Sequence, residues 1–363
     1  MPKKTPLFDE EVRLGAKFTE FAGWELPLYY SGIIDEHISV RSSAGLFDIS
    51  HLGKISVKGL GSAELLQHLA VIDISKISTG RGAYTIFCNE TGGIIDDDII
   101  YRFDEADYFV VTNATRLQAL LDWLVKHRSP GTEIEDYTDR LGLLALQGPE
   151  SPEILRAIFN EDPGLYKRYS VKKIVVNGNK FTVMKSGYTG EEGYEIIAEP
   201  KVEKVTWQML LDAGVKPVGL GARDTLRLEM GYPLYGRDIT IETTPLEAGL
   251  EWVISFEKGD FIGREVLLRK RDEGVNKRLV GFVLDWGIAR GDEQLFIAQG
   301  KEIGRVTSGG YSPILKRGIG LAYVLSEYAQ VGMDIKIKVR NRELTGRIEE
   351  RPFINRRRLG YDT

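Results

Sequence analysis

The stretch "RKRDEGVNKR", residues 269–278, divides the chain into two patterns of sequence. Ahead of it, helical and extended signals alternate; behind it come short extended runs separated by glycine turns. The later runs are "LVGFVLDW", "EIGRVTSG", "GIGLAYVL", "DIKIKVR" and "ELTGRIEE", which predict a separate small β-domain over residues 278–363. Residues 1–275 read as mixed α and β. There "SPEILRAIF" offers Ser151 as N-cap, Pro152 at the first helical position and a stripe of Ile154, Leu155, Ile158 and Phe159. "RLQALLDWLVKHR" sets Leu117, Leu120, Leu121 and Leu124 at helical spacing ahead of Lys126, His127 and Arg128. "SAELLQHLA", capped by Ser62, and "KVEKVTWQMLLDAG", ended by Gly214, predict two further helices. The runs "GKISVKG", "AYTIFC", "DYFVVTN", "LGLLALQG" and "KFTVMKSGYTG" supply strands between them. The fold class expected is α+β.

At 363 residues the chain is long enough for two or three packed units. Hydrophobic residues at 42% and charged residues at 28% fit a folded chain rather than a disordered one. A formal net charge of −5 argues against nucleic acid as the main partner. The one cysteine, Cys88, permits no internal disulfide and reads as a small core residue. His37, His51, His68 and His127 lack paired ligand spacing, so no metal is expected. "VGLGAR" lacks the third glycine of a dinucleotide fingerprint, a P-loop is absent, and no nucleotide is expected. The N-terminus has no apolar signal core and no run reaches membrane length, which points to the cytoplasm or an equivalent reducing space.

The chemistry-bearing stretch is "CNETGGIIDDDIIYRF", residues 88–103. The Gly92-Gly93 pair predicts a turn with a strand starting near Ile94. Side chains alternate along a strand, so Ile95, Asp97 and Ile99 share one face and Asp96 and Asp98 the other. Asp97 is thus carried among apolar neighbours, where a carboxylate needs a partner or a task. "SGYTGEEGYE", residues 186–195, holds Gly187, Gly190 and Gly193, read as tight-turn glycines in a hairpin, with Tyr188, Tyr194 and Glu195. "GARDTLRLEMGYPLYGRDI", residues 221–239, reads as a helix bearing Arg223, Arg227 and Glu229, followed by a turn at Pro233; a solvated face is the plain alternative for its charges.

Taken in order, "GLFDISHLG", "NETGGIIDDD", "LQGP", "SGYTGEEGYE", "GLGARDTLRLEMGYPLYGRDI", "TPLEAGLEW", "IGREVL" and "GRVTSGGYSP" make the sequence resemble the glycine cleavage T-protein family of tetrahydrofolate-dependent aminomethyltransferases. The resemblance runs over nearly the whole chain. It implies a three-part, cloverleaf-like fold around a folate site, two parts mixed α/β and ferredoxin-like, the last a β-barrel or jelly roll. It implies transfer of a one-carbon unit from an aminomethyl group on the lipoyl arm of an H-protein to tetrahydrofolate, with release of ammonia. Asp97 matches the family's catalytic aspartate, with Asp96 and Asp98 as supporting or solvated residues. Glu195 matches the carboxylate that accepts the pterin's donor pair, and Arg223 the arginine beside it. Leu52, Tyr84, Tyr188 and Tyr232 match positions near the ring system, and Asn113 a position for an amide contact.

The sequence departs from the family pattern at Leu52, Lys185, Ser186 and Arg116, in "VID" at residues 71–73, and at Asp98, where an apolar residue is usual. Arg351, Arg356, Arg357 and Arg358 of the tail are candidates for an anionic folate tail or an acidic partner, or for plain solvation. Two other readings stand beside it: one keeps the fold but changes the donor, a folate-dependent demethylase of a small methylated compound, and one is of a different class, a non-enzymatic folate-binding maintenance protein. The second is disfavoured because the cysteine-bearing "KGCYxGQE" pattern is missing.

Overall fold

A computed structural model describes residues 1–354. The chain divides into two compact units, the first made of Met1–Cys88, Ile95–Arg223 and Glu257–Ile262, the second of Asn89–Ile94, Asp224–Phe256 and the chain from Gly263 onward.

The first unit is mixed α and β. Its largest sheet has the strand order Val171–Val176, Asn179–Met184, Gly193–Ala198, Gly142–Gln147, Gly45–Asp48, Lys216–Pro217. Leu144 stands opposite Ile196 on one side and Asp48 on the other, which fixes Glu195 opposite Ala145. Helices Ser151–Phe159 and Pro200–Asp212 lay Leu155, Phe159, Trp207 and Leu210 on Leu144, Leu146, Tyr194 and Ile196. Burying each such side chain is worth about 1.5–3 kcal/mol. The first helix starts one residue earlier than its sequence predicts, with Glu150 rather than Ser151 at the N-cap and Pro152 in the first turn, just as Gly61 rather than Ser62 caps helix Ser62–Leu69; it stops where Asn160 turns left-handed at φ 54°.

A five-stranded sheet follows the order Arg81–Cys88, Ile94–Asp104, Asp107–Thr112, Gly53–Lys58, Glu133–Asp136. The strand of three aspartates is therefore flanked on both edges, with Ile100 opposite Val110. A small sheet of Lys3–Lys4, Trp24–Tyr29 and Lys17–Phe21 completes the strands of this unit among the described residues.

The second unit contains a closed barrel in the order Lys277–Leu284, Arg317–Leu325, Glu302–Ser312, Gln294–Phe296, Asp334–Val339, Arg342–Glu349. Pairing of its first and last strands, from Gly281 opposite Glu349 to Leu284 opposite Gly346, seals it. Five of these strands are the runs read from sequence; Gln294–Phe296 has too few residues to show a period. Phe282, Leu284, Val306, Ala322, Ile337 and Leu344 fill the interior.

The charges of helix Leu220–Glu229 correct the solvated-face reading. Arg227 and Glu229 are 1% and 0% exposed. Arg227 donates to Asp238 at 2.8 Å and to the Ser308 hydroxyl at 3.0 Å, while the Ser312 hydroxyl donates to Glu229. A buried ion pair is tolerated when its remaining donors and acceptors are matched, as here. Arg351 likewise donates to the Leu279 and Gly231 carbonyls at 3.2 and 3.4 Å. Arg356, Arg357 and Arg358 lie outside the described residues. Among the described residues no helix is long and apolar enough to cross a membrane.

Candidate active site

The turn before the aspartate strand is built as its sequence predicts. Asn89 accepts from Thr91 N and Gly93 N at 3.0 and 2.8 Å, and Gly92 adopts φ 77°. A side chain on Gly93 would place Cβ 1.9 Å from the Ile241 carbonyl oxygen, so only glycine fits. The strand then begins at Ile94.

Asp97 is half-buried, and each of its carboxyl oxygens has one donor. The Tyr84 hydroxyl reaches Oδ2 at 3.0 Å and Asn113 Nδ2 reaches Oδ1 at 2.9 Å. The same Asn113 amide donates to the Asp97 carbonyl at 3.1 Å and to Asp96 Oδ1 at 2.8 Å. Burial and the charge of Asp96 push the Asp97 carboxyl up to about 8, against the pull of Tyr84 and Asn113. Three residues read from sequence as separate candidates thus form one hydrogen-bonded group.

The opposite face of the strand resolves an alternative left open above. Asp96 and Asp98 are supporting rather than solvated, with exposures of 0% and 2%. Asp96 accepts from the Thr112 hydroxyl and from the Asn113 backbone N–H at 3.2 Å.

A second group sits around the loop between strands Asn179–Met184 and Gly193–Ala198, whose pairing is Met184 with Glu195. Glu195 is buried at 5% exposure, and burial lifts its carboxyl while the Arg223 charge opposes the rise. Arg223 stands 5.0 Å from the centre of the Tyr188 ring, a cation–π distance. Glu195 Oε2 and Arg223 Nη1 are buried atoms with no hydrogen-bond partner among the described residues. Tyr188 is among the groups whose charge bears on Tyr84, which links this cluster to the first.

The tight-turn reading holds for one glycine of this loop and fails for two. Gly190 has φ 80°. Gly187 and Gly193 are glycines because a Cβ would lie 1.9 Å from Gln147 Oε1 and 2.2 Å from Gln147 Nε2. Gln147 holds the loop from within, donating to the Ser186 carbonyl at 3.0 Å and accepting from the Thr189 hydroxyl at 2.9 Å. Arg41 clamps it from the other side, at 2.6 Å from the Thr189 carbonyl and 2.9 Å from Glu191.

Leu52 is half-buried and its carbonyl, with that of Ser50, accepts from the ammonium of Lys54 at 2.7 and 2.8 Å. Lys54 is itself fully buried, which lowers its ammonium to about 8 against the pull of Glu203 and Asp48. His51 beside it is driven down to about 3 by burial and by the Arg223 and Lys54 charges, so it is a neutral packing residue. Tyr232 belongs to the second unit, where its N–H donates to the Arg227 carbonyl at 3.0 Å and its carbonyl accepts from Arg227 at 3.0 Å. Cys88 is buried with its thiol pushed up by burial, the inert core residue expected. Among the described residues no three His, Cys, Asp or Glu side chains are grouped to hold a metal ion.

Lys54, Gln147 and Arg41 carry the site without having been singled out as candidates. The partners of Gln147 and Arg41 lie far off in sequence, and Lys54, whose carbonyl partners are close by, stands in "GKISVKG" on the face of Ser56 and Lys58, where alternation gives no sign of burial.

Residues 7–258 match the model of the GCVT N-terminal domain, and residues 277–355 that of the glycine cleavage T-protein C-terminal barrel domain. A protein of Halothermothrix orenii named aminomethyltransferase is 43% identical over 97% of this chain and 100% of its own length. One of Chlorobium limicola with the same name is 42% identical over 98% of this chain and 100% of its own. The solved glycine cleavage system aminomethyltransferase T of Bartonella henselae superposes with a TM-score of 0.91 at 33% identity, covering 98% of each chain. Such likeness over whole lengths makes the chain a transferase, and by class an aminomethyltransferase. It belongs to the glycine cleavage T-protein family.

Proposed function

We propose that this enzyme moves a one-carbon unit from the aminomethyl group on a lipoylated H-protein to tetrahydrofolate, releasing ammonia and the reduced lipoyl arm, in the cytoplasm, with residues 1–275 carrying the folate site and 278–363 the barrel domain. The observation that carries this reading is Asp97, a half-buried carboxyl held by Tyr84 and Asn113 and raised to about 8. A carboxyl in that range accepts a proton at near-neutral pH and is drawn into its ionised form by a positive centre brought next to it.

When bound, tetrahydrofolate supplies the nitrogen nucleophiles that take up the carbon. The unmatched Glu195 Oε2 and Arg223 Nη1 suit its pterin ring: the carboxylate accepts the ring's paired N–H donors, and the guanidinium keeps that carboxylate ionised. Tyr188 and Leu52 are its flat and apolar neighbours in this reading. On the donor, loss of the amine or the thiol leaves positive charge on the carbon, which the fixed Asp97 carboxylate stabilises. The same carboxylate then takes the proton released as the new carbon–nitrogen bond forms.

The test is ammonia release from aminomethylated H-protein with tetrahydrofolate. Asp97→Asn should lower kcat by about 10²–10³-fold, as loss of one preorganised electrostatic partner does, with folate affinity little changed. Turnover equal to wild type would dismiss Asp97 from the chemistry.

A further inference from the structure

Asp96 and Asp98 take no part in the chemistry just described, yet both are buried more deeply than Asp97. Two positions apart on one strand, they project from the same face and stand within hydrogen-bonding reach of each other. Their surroundings differ. Asp96 accepts from the Thr112 hydroxyl, the Asn113 backbone N–H and the Asn113 amide, at 3.2 and 2.8 Å for the last two. Neither oxygen of Asp98 has a hydrogen-bond partner among the described residues; the Thr112 hydroxyl, which lies near both carboxyls, bonds Asp96. A buried carboxylate without a donor is among the costliest states a side chain can occupy. Two such groups in contact do not both ionise. The strongest influences on the pair are burial, the charges of Asp96 and Asp97, and the donors Thr112 and Asn113; no basic side chain ranks among them.

We propose that Asp96 and Asp98 share one proton, resident on Asp98 and donated to Asp96, and that Asp98 is thereby a positioning residue for Asp97, acting through Asp96 and Asn113. One proton satisfies both carboxyls at once. It stays on Asp98 because both Asn113 donors and the Thr112 hydroxyl bond Asp96, whereas Thr112 alone also lies close enough to influence Asp98. Burial together with the neighbouring aspartates lifts Asp98 well above the carboxylate range, in keeping with that placement. Asp96, kept ionised, remains the acceptor that orients the Asn113 amide, whose other contacts are the Asp97 carboxyl and carbonyl. The Asp96 charge in turn holds the Asp97 carboxyl high. The titratable groups acting on Asp97 include Asp96 and Asp98 on its own strand and Tyr84 on the neighbouring one.

The catalytic half of this inference rests on Asp97 being the reacting carboxylate; the protonation half does not. Two measurements separate them. Infrared difference spectra of protein carrying carboxyl-labelled aspartate, recorded above the pH at which Asp97 ionises, should show a protonated aspartic acid band that disappears in Asp98→Asn. Its persistence in that variant overturns the proton assignment, whether or not aminomethyl transfer is detected. In the pH profile of kcat/KM, Asp98→Leu removes the donor, Asp96 takes up the proton, and the acid limb falls by about one to two units as the neighbouring negative charge is lost. Asp98→Asn, whose amide N–H stands in for the proton, should restore the limb that leucine displaces. An acid limb that leucine leaves in place overturns the positioning role, and labelled Asp98→Asn keeps the spectroscopic test open should the leucine variant not fold.

Discussion

Replacing Tyr84 with phenylalanine removes one oxygen and keeps the ring. In the structure that hydroxyl donates to Asp97 Oδ2 at 3.0 Å, one of two side-chain hydrogen bonds holding the carboxyl among the described residues, and its pull is already included in a carboxyl raised to about 8. A hydrogen bond to a charged acceptor is worth about 1.5–3 kcal/mol. Since one pH unit corresponds to about 1.4 kcal/mol, Tyr84→Phe should raise the Asp97 carboxyl by about one to two units. The assay is the pH dependence of kcat/KM for ammonia release, which reports groups of the free enzyme. The acid limb should move from near 8 to about 9–10, so the loss is large at neutral pH and shrinks on the alkaline side. A uniform drop at every pH with an unmoved limb would refute the reasoning, because the phenol would then be acting on substrate rather than on the carboxyl.

Further outcomes follow from the same geometry. Glu195→Ala should weaken tetrahydrofolate binding in calorimetry by about 1.5–3 kcal/mol, roughly 10- to 150-fold, and unchanged affinity would remove it from the pterin site. Gly193→Ala drives a Cβ to within 2.2 Å of Gln147 Nε2 and should cost about 1–3 kcal/mol in denaturant unfolding. Adding Gln147→Ala should recover part of that loss, whereas strictly additive effects would show that the two do not meet. Glu203, 1% exposed, is lifted to about 8, chiefly by burial and then by Asp48. Its folded value lies above the unfolded one, so its contribution to stability is complete below about pH 4.3 and is lost as pH rises through about 8. The Tm of Glu203→Gln should therefore gain on wild type between those limits, and parallel Tm curves would contradict it.

Helices Ser62–Leu69, Leu117–Lys126, Ser151–Phe159, Pro200–Asp212 and Leu220–Glu229 and five of the six barrel strands were legible because each rests on local periodicity or glycine turns. So was the strand carrying Asp97, since the Asn89–Gly93 turn is written in adjacent residues. The candidate residues Tyr84, Asp97 and Asn113 do meet, but their meeting depends on strand pairing that no single segment encodes. Alternation placed Asp96 and Asp98 on one face correctly; whether that face is wet or dry depends on what packs over it, and it is dry. The same limit applies to Arg227 and Glu229, whose charges read as solvated until Asp238, Ser308 and Ser312 are brought against them. For Gly187 and Gly193 the residue type was noticed and the cause misread: the constraint is the Gln147 side chain, not backbone direction.

The closed barrel and the open six-stranded sheet face different hazards in a crowded solution. A sealed cylinder leaves no row of idle amides for a second chain to zip onto, so its strands can be rich in valine, isoleucine and leucine without inviting polymerisation. The open sheet ends in Val171–Val176 and Lys216–Pro217. Lys172 and Lys173 on the first edge pair with Glu161 and Asp107, and Pro217 on the second lacks the hydrogen a new strand would need. Trading those lysines for valine would turn a guarded border into an adhesive one, and the cost would be paid in solubility long before it was felt in catalysis.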